Sequence, residues 1–146
     1  MRFVYLVDNS ASRRVRTNPE VEHAFLRLLD EGSLGSCLPQ LLEQGYSARN
    51  LAEHDAIVTD NLYGKVFLAP LPQIAEIAIG LQRKLFAAHR GRDVGVSDLQ
   101  IAATALCHSD DRQLVTVVHY DRDFDALAAV EPRLSTRWIV PRGSAD

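Results

Sequence analysis

Two carboxylate side chains stand at the ends of apolar runs, where a folded chain can use them for chemistry. Asp8 comes directly after the run Phe3–Val7, and Asp121 follows the Val-rich run Leu114–Val118. Dense runs of β-branched and aromatic residues predict strands. In an open parallel sheet, ligands bind beyond the carboxyl ends of the strands. We therefore expect both carboxylates at one edge of a sheet, in a ligand site.

Two more acids can reach the same edge. Asp98 lies in the first turn of a predicted helix that Ser97 caps, and Glu43 lies on a short helix that follows Pro39. Carboxylates gathered in one cleft raise one another's pKa values unless a cation neutralises them. Oxygen ligands without His or Cys favour Mg²⁺ or Mn²⁺, which activate water and stabilise charge during phosphodiester hydrolysis. The four acids therefore indicate metal-dependent phosphodiester chemistry.

Each acid also has an ordinary structural interpretation. Asp8 can be a turn former at a strand end, and Asp98 can complement the dipole of its helix. Glu43 can be solvated on a helix surface. Asp121 and the nearby Asp123 belong to a charge run that can cap the next helix. Position alone leaves these alternatives open.

Composition and charge limit the function classes. Sixteen Lys and Arg against nineteen Asp and Glu give a net charge of -3 and a pI near 5.9, which argues against a generally basic nucleic-acid coat. Setting the four candidate acids aside leaves fifteen acids against sixteen basic residues, so the remaining surface is close to neutral. Cys37 and Cys107 form no CxxC motif, which favours a reducing cytoplasm. No apolar run suits a signal peptide or a membrane span, so we expect a soluble cytoplasmic protein without a membrane partner.

The predicted elements alternate between strands and helices. In chain order they are a strand at Phe3–Val7, a helix between Asn18 and Gly32, a short segment at Leu34–Leu38, a short helix after Pro39, a helix at Leu51–Leu62, a strand at Lys65–Leu68, a helix at Leu71–Arg90 closed by Gly91, a helix capped by Ser97, a strand at Leu114–Val118, a helix at Phe124–Val130 and a strand at Trp138–Val140. This alternation predicts one α/β domain over residues 1–146, a three-layer α/β/α sandwich with a mainly parallel central sheet.

Four motifs, in this order and spacing, resemble those of PIN-domain ribonucleases of the VapC toxin type over nearly the whole chain. They are Asp8-Asn9-Ser10, Leu41-Leu42-Glu43 followed by Gly45-Tyr46-Ser47-Ala48-Arg49, the segment Asp98-Leu99-Gln100-Ile101-Ala102-Ala103-Thr104-Ala105, and His119-Tyr120-Asp121-Arg122-Asp123-Phe124-Asp125. The resemblance implies a PIN-like fold and an acidic quartet made by Asp8, Glu43, Asp98 and Asp121.

The resemblance also implies individual roles within that site. Asp8 and Asp98 are the expected direct ligands of Mg²⁺ or Mn²⁺, and the hydroxyl of Ser10 supports the site. The motif crowds Asp121 and Asp123 together, and we favour Asp121 as the fourth acid because it is nearer the strand end. Asp123 is then a fifth member or a helix cap.

The resemblance further implies a substrate and partners. The expected activity is endoribonucleolytic cleavage of structured RNA, in tRNA or ribosomal RNA loops, leaving a 5′-phosphate and a 3′-hydroxyl. The expected partners are a VapB-type antitoxin, which places a basic side chain in the acid pocket, and a second copy in a homodimer. Side chains expected to contact RNA are Arg13, Arg14, Arg16, Tyr46 and Arg49, although Tyr46 can instead belong to the core and the arginines can be solvated.

Three alternatives remain to be weighed. A phosphatase of the haloacid dehalogenase type needs a second Asp where Ser10 stands, and a receiver domain needs a Lys after a late strand, where neither Lys65 nor Lys84 lies. A catalytically inactive α/β module that binds RNA or a protein is the third alternative. The presence of all four acids argues against it.

Overall fold

A five-stranded parallel sheet forms the centre of the computed structural model, which describes residues 1–146. The strands are β1 (Arg2–Val7), β2 (Ser33–Cys37), β3 (Val66–Leu68), β4 (Gln113–His119) and β5 (Ser135–Trp138), in the spatial order β3-β2-β1-β4-β5. Every neighbouring pair is parallel, with Val7 opposite Val118 at the carboxyl ends of β1 and β4. The sheet order reverses direction at β1, so the switch point lies between β1 and β4.

Seven helices pack around this sheet. They are α1 (Asn9–Ser12), α2 (Pro19–Glu31), α3 (Leu38–Tyr46), α4 (Leu51–Tyr63), α5 (Gln73–Ala87), α6 (Val96–Cys107) and α7 (Asp123–Val130). Alternate residues of β1 enter two separate cores: Val4 and Leu6 pack with α5, α6 and α7, whereas Tyr5 and Val7 pack with α1 and α2. The predicted three-layer α/β/α sandwich is thereby confirmed. No helix combines the length and the apolar character that a membrane crossing requires.

Helix α2 follows its sequence signals closely. The Asn18 side chain accepts hydrogen bonds from the backbone N–H groups of Glu20 and Val21, Pro19 occupies the first turn, and Gly32 is the C-cap. The helix ends as β2 begins at Ser33, which places β2 beside β1.

Helix α5 ends earlier than predicted, and not at Gly91. His89 adopts a left-handed conformation (φ 58°), and the Arg90 N–H donates to the Leu85 carbonyl at 2.8 Å while the His89 N–H donates to the Phe86 carbonyl. These two bonds close a Schellman motif with His89 at the position that glycine usually takes. Gly91 has a packing role instead, because a Cβ there would lie 2.4 Å from the Phe86 ring.

Three further boundaries differ from the predicted ones. Helix α6 begins at Val96 with Gly95 as its N-cap, so Ser97 is not the cap. Strand β5 begins at Ser135, where the hydroxyls of Thr116 and Ser135 are 2.8 Å apart, and it ends at Trp138, where the prediction began. The four-residue helix α1 was not predicted, because one turn is too short to show a periodic pattern.

Candidate active site

The switch point between β1 and β4 carries the acids that the sequence singled out. Asp8 follows β1 directly, and its N–H donates to the Val118 carbonyl of β4 at 2.8 Å. Asp121 lies just beyond the end of β4. Asp98 projects from the first turn of α6, and Glu43 comes from α3. Four elements that are distant in sequence therefore bring their carboxylates to one edge of the sheet.

These carboxylates form two overlapping groups that share Asp98. Ligand oxygens of Asp8, Glu43 and Asp98 lie within 4.8 Å of one another, and so do those of Asp98, Asp121 and Asp123. We call these five residues the acid cluster. Both Asp121 and Asp123 reach Asp98, so the structure brings together both candidates for the fourth acid. Either group offers three oxygen donors that could hold a metal ion.

No cationic side chain forms an ion pair with the acid cluster, although the charge of Arg122 opposes the rise in the pKa of Asp123. None of the ion pairs in the protein includes a member of the cluster. Burial, with the charges of Asp8 and Asp121 beside it, raises the pKa of Asp98 to about 8. Burial also raises the pKa of Asp8, and the charge of Asp121 adds to that rise while hydrogen bonds from Ser10 oppose it. The cluster therefore carries the electrostatic marks of a cation site.

Ser10 connects the two strand ends that hold the cluster. Its backbone N–H donates to Asp8 Oδ2 at 3.0 Å, and its Oγ accepts from the Tyr120 N–H at 2.9 Å. The turn-forming interpretation of Asp8 is thus also satisfied, since Asp8 caps α1 through the first of these bonds. Because Tyr120 precedes Asp121, the Ser10 hydroxyl fixes the backbone beside the fourth acid.

His119 is a site residue whose role the sequence reasoning missed. It is fully buried at the end of β4, its ring centroid is 5.0 Å from those of Phe124 and Trp138, and its Nδ1 accepts from the Asp121 N–H at 3.2 Å. Burial lowers the pKa of His119 to about 4, so the ring is neutral near pH 7. The imidazole acts as a fixed acceptor that orients the backbone of Asp121. The available signal was a histidine at the end of an otherwise apolar strand.

Tyr46 and Glu43 share an open cleft beside the acid cluster. The cleft has a volume of about 420 Å³ and is lined by Pro39, Leu42, Glu43, Tyr46, Ser97 and Gln100. Tyr46 is 94% exposed, so the alternative that it belongs to the core is wrong. An exposed tyrosine at the rim of an acidic cleft is available to stack on a base.

The arginines predicted to contact RNA differ in their surroundings. Arg13 and Arg16 are exposed, and no salt bridge includes them. Arg49 forms an exposed ion pair with Glu53, with Nη2 and Oε1 2.6 Å apart.

Arg14 is half-buried and its guanidinium is bound by the protein itself. Its Nη1 donates to the Ser10 carbonyl at 2.6 Å, its Nε donates to the Ala145 carbonyl at 3.1 Å, and its guanidinium lies 4.4 Å from the centre of the Tyr120 ring. The Tyr120 hydroxyl in turn accepts from the N–H groups of Gly143 and Ala145 and donates to Asp146. Arg14 therefore braces the segment that carries Ser10, and RNA contact by Arg14 stays a prediction.

A parallel sheet of this order, with carboxylates gathered at its switch point, defines an α/β protein of the PIN-domain class. No protein-family model matches the chain. Ribonuclease VapC51 of Mycobacterium tuberculosis (strain ATCC 25618 / H37Rv) is 35% identical over 146 residues, the whole of both chains. This full-length similarity shows that the chain belongs to the VapC ribonuclease family.

Two solved structures share the fold. VapBC-1 from nontypeable Haemophilus influenzae superposes with a TM-score of 0.67 at 19% identity, over 93% of this chain and 98% of that chain. VapBC-5 from Mycobacterium tuberculosis, a member of the VapBC family of toxin-antitoxin systems, gives a TM-score of 0.53 at 21% identity, over 72% of this chain and 81% of that one.

Proposed function

We propose that this protein is a divalent-metal-dependent endoribonuclease and the toxin of a VapBC-type toxin-antitoxin pair, with the acid cluster as its active site. The observation that carries the proposal is the pair of carboxylate groups that share Asp98 and form no ion pair with a cationic side chain. A folded protein keeps such a costly arrangement where a cation and a reaction use it. Membership of a ribonuclease family supplies the class of substrate.

The donor set fits a hard cation. All candidate ligand atoms are carboxylate oxygens, with no His or Cys among them, which suits Mg²⁺ or Mn²⁺. Asp8 and Asp98 are the proposed direct ligands, because Asp98 belongs to both groups of oxygens and Asp8 is the buried member of the cluster. When bound, the cation supplies charge stabilisation at a scissile phosphate and lowers the pKa of water.

The remaining residues have separate proposed tasks. Glu43 is exposed and lines the cleft, so it is placed to accept a proton from water that attacks the phosphate. Asp121 and Asp123 complete the oxygen set on the other side of Asp98. His119 and Ser10 hold the turn that carries Asp121 and do not themselves react.

The cleft suits single-stranded RNA. Tyr46 can stack on an unpaired base, and the exposed Arg13 and Arg16 can hold flanking phosphates. Loops of tRNA or ribosomal RNA, whose bases are unstacked, are the proposed targets. We also propose a cytoplasmic location, because such RNA targets are found there.

The proposed partners are a VapB-type antitoxin and a second copy of the chain. An antitoxin that inserts a basic side chain would neutralise the acid cluster in place of the cation. The helices α4 and α5 expose large apolar side chains that a homodimer would cover, namely Leu51, Tyr63, Ile79 and Phe86.

The deciding experiment is cleavage of total RNA by the purified protein with Mg²⁺ or Mn²⁺. We expect cleavage that stops in EDTA and in the Asp8→Asn variant. Cleavage that survives either control would contradict a metal-carboxylate mechanism. RNA binding with no metal-dependent cleavage of any cellular RNA would favour the inactive binding module instead.

A further inference from the structure

A second cavity is lined in part by Asp123, a member of the acid cluster, and shares no lining residue with the cleft that contains Glu43. It has a volume of about 410 Å³ and is lined by Arg90, Asp93, Arg122, Asp123, Asp125, Ala126 and Arg142. Its three arginines come from three separate segments, which follow α5, β4 and β5. Asp123 belongs both to this cavity and to the acid cluster, so the cavity adjoins the proposed site of cleavage.

Some charged side chains of the cavity have partners within the protein and others do not. Asp93 forms an ion pair with Arg90 at 3.1 Å, and Asp125 accepts a hydrogen bond from the indole N–H of Trp138 at 3.0 Å. The side chains of Arg122 and Arg142 form neither an ion pair nor a hydrogen bond within the protein. The cavity therefore holds two guanidinium groups whose donors are free.

We propose that Arg122 and Arg142 form a phosphate-binding subsite for the RNA strand, which holds a phosphate next to the one cleaved at the acid cluster. With Asp123 assigned to the acid cluster, the other charged groups of the cavity are three arginines and two aspartates. Guanidinium groups bind phosphate oxygens through two parallel N–H bonds, and free guanidinium donors beside a phosphodiester-cleaving site suit that task.

This subsite deepens the proposed function and rests on it. The acid cluster repels the RNA backbone, and a strand must nevertheless lie across it for cleavage. Arginines on the Asp123 side offset that repulsion. Together with Tyr46 in the cleft that Glu43 lines, they give the strand contacts in two cavities that each include a member of the acid cluster.

The test measures binding of a fluorescein-labelled single-stranded RNA of mixed sequence by fluorescence anisotropy. The protein carries Asp98→Asn, so that cleavage does not interfere, and is compared with versions that also carry Arg122→Gln or Arg142→Gln. Arg112→Gln is the matched control, because Arg112 is an exposed arginine that precedes β4 at the opposite edge of the sheet. All three substitutions remove one positive charge.

We expect each cavity variant to weaken RNA binding by roughly 3- to 10-fold at low salt. The slope of log affinity against log salt concentration should become shallower by about 0.7 for each variant, as expected for the loss of one phosphate contact in a single strand. Arg112→Gln should leave both quantities unchanged. Cavity variants that bind RNA as the control does would overturn the subsite.

Cleavage assays separate this proposal from the proposed function. In the otherwise unchanged protein, the cavity variants should raise KM and leave kcat within about twofold. If the double variant Arg122→Gln and Arg142→Gln cleaves RNA with an unchanged KM, the proposed function stands and the subsite proposal is contradicted. A protein that never cleaves RNA loses the proposed function, while the binding comparison still decides whether these arginines hold a phosphate.

Discussion

Glu131 and Asp98 are both shielded from solvent, but their surroundings shift their pKa values in opposite directions. Glu131 is 4% exposed and accepts hydrogen bonds from Arg133 Nη2 and Lys84 Nζ, each at 2.9 Å. These cations lower the pKa of Glu131 to about 2. Asp98 has other acids beside it, and burial together with their charges raises its pKa to about 8.

The difference separates a structural acid from a functional one. Removing a charge from water costs free energy, which a paired cation can offset within the protein. Glu131 has such pairs, and they tie the start of the segment after α7 to α5. Asp98 lacks them, so near pH 7 it keeps a proton until a cation takes the place of that proton. The absence of ion pairs with cationic side chains, more than burial, therefore distinguishes the acid cluster from the buried Glu131.

The largest expected effect comes from Asp98→Asn. RNA cleavage should fall by at least about 100-fold, as it should for Asp8→Asn, because both proposed ligands of the cation are needed. The melting temperature without divalent cations should stay the same near pH 7, where Asp98 holds a proton, and should exceed that of wild type above about pH 8, where the variant has no carboxyl to ionise. Cleavage assays and thermal melting of the same preparation measure both. A markedly lower melting temperature would count against an uncompensated charge at Asp98.

Glu131→Gln should lower stability and leave RNA cleavage unchanged, the opposite of Asp98→Asn. The free energy of unfolding should fall by about 1–2 kcal/mol, less than for a fully buried pair because Lys84 and Arg133 are themselves largely exposed. Thermal melting should show a fall of roughly 2–8 °C. Cleavage per folded molecule should be unchanged. A folded Glu131→Gln protein that is as inactive as Asp98→Asn would remove the distinction between the two acids.

The dependence of stability on pH sharpens the contrast. The folded protein keeps a proton on Asp98 up to about pH 8, whereas the unfolded chain releases it near the ordinary aspartate pKa of 3.8. The metal-free protein should therefore lose stability as pH rises through that window. Glu131 contributes stability above its unfolded value of 4.5, and this is lost as pH falls towards 2. Melting in EDTA between pH 5 and 8 should show a falling melting temperature that Asp98→Asn largely abolishes; a rising one would contradict the prediction.

The smallest effect is expected at an acid that is paired but exposed. Glu53 and Arg49 lie 2.6 Å apart on the surface, where water and salt screen their attraction. Glu53→Gln should leave the melting temperature unchanged within error. A loss as large as that of Glu131→Gln would mean that pairing contributes to stability equally at the surface and in the interior.

Local signals in the sequence located most of the fold and all members of the acid cluster. The apolar run before Asp8 predicted β1, and the residues Asn18, Pro19 and Gly32 set the bounds of α2. These signals work because strand ends and helix caps depend on neighbouring residues. The end of α5 shows their limit: His89 took the left-handed position, although Gly91 two residues later was the better candidate by residue type.

Contacts between distant residues could not be predicted in this way. Ser10 meets Tyr120 across 110 residues, and Lys84 meets Glu131 across 47. Arg133, two residues after Glu131, is a local partner for that acid, but nothing local shows that Lys84 also pairs with it or that Asp98 stays unpaired. The predicted bounds of strand β5 were wrong for a related reason. Its first residues, Ser135 and Thr136, are polar and are fixed only by pairing with β4.

Titration of Mn²⁺ into the metal-free protein by isothermal calorimetry tests the central claim most directly. Wild type and Glu131→Gln should bind Mn²⁺ with the same affinity, because Glu131 is already paired with Lys84 and Arg133 and does not bind the metal ion. Asp98→Asn should lose that binding, since Asp98 is shared by both carboxylate groups. Undiminished Mn²⁺ binding by Asp98→Asn, or no binding by the wild type, would contradict the account.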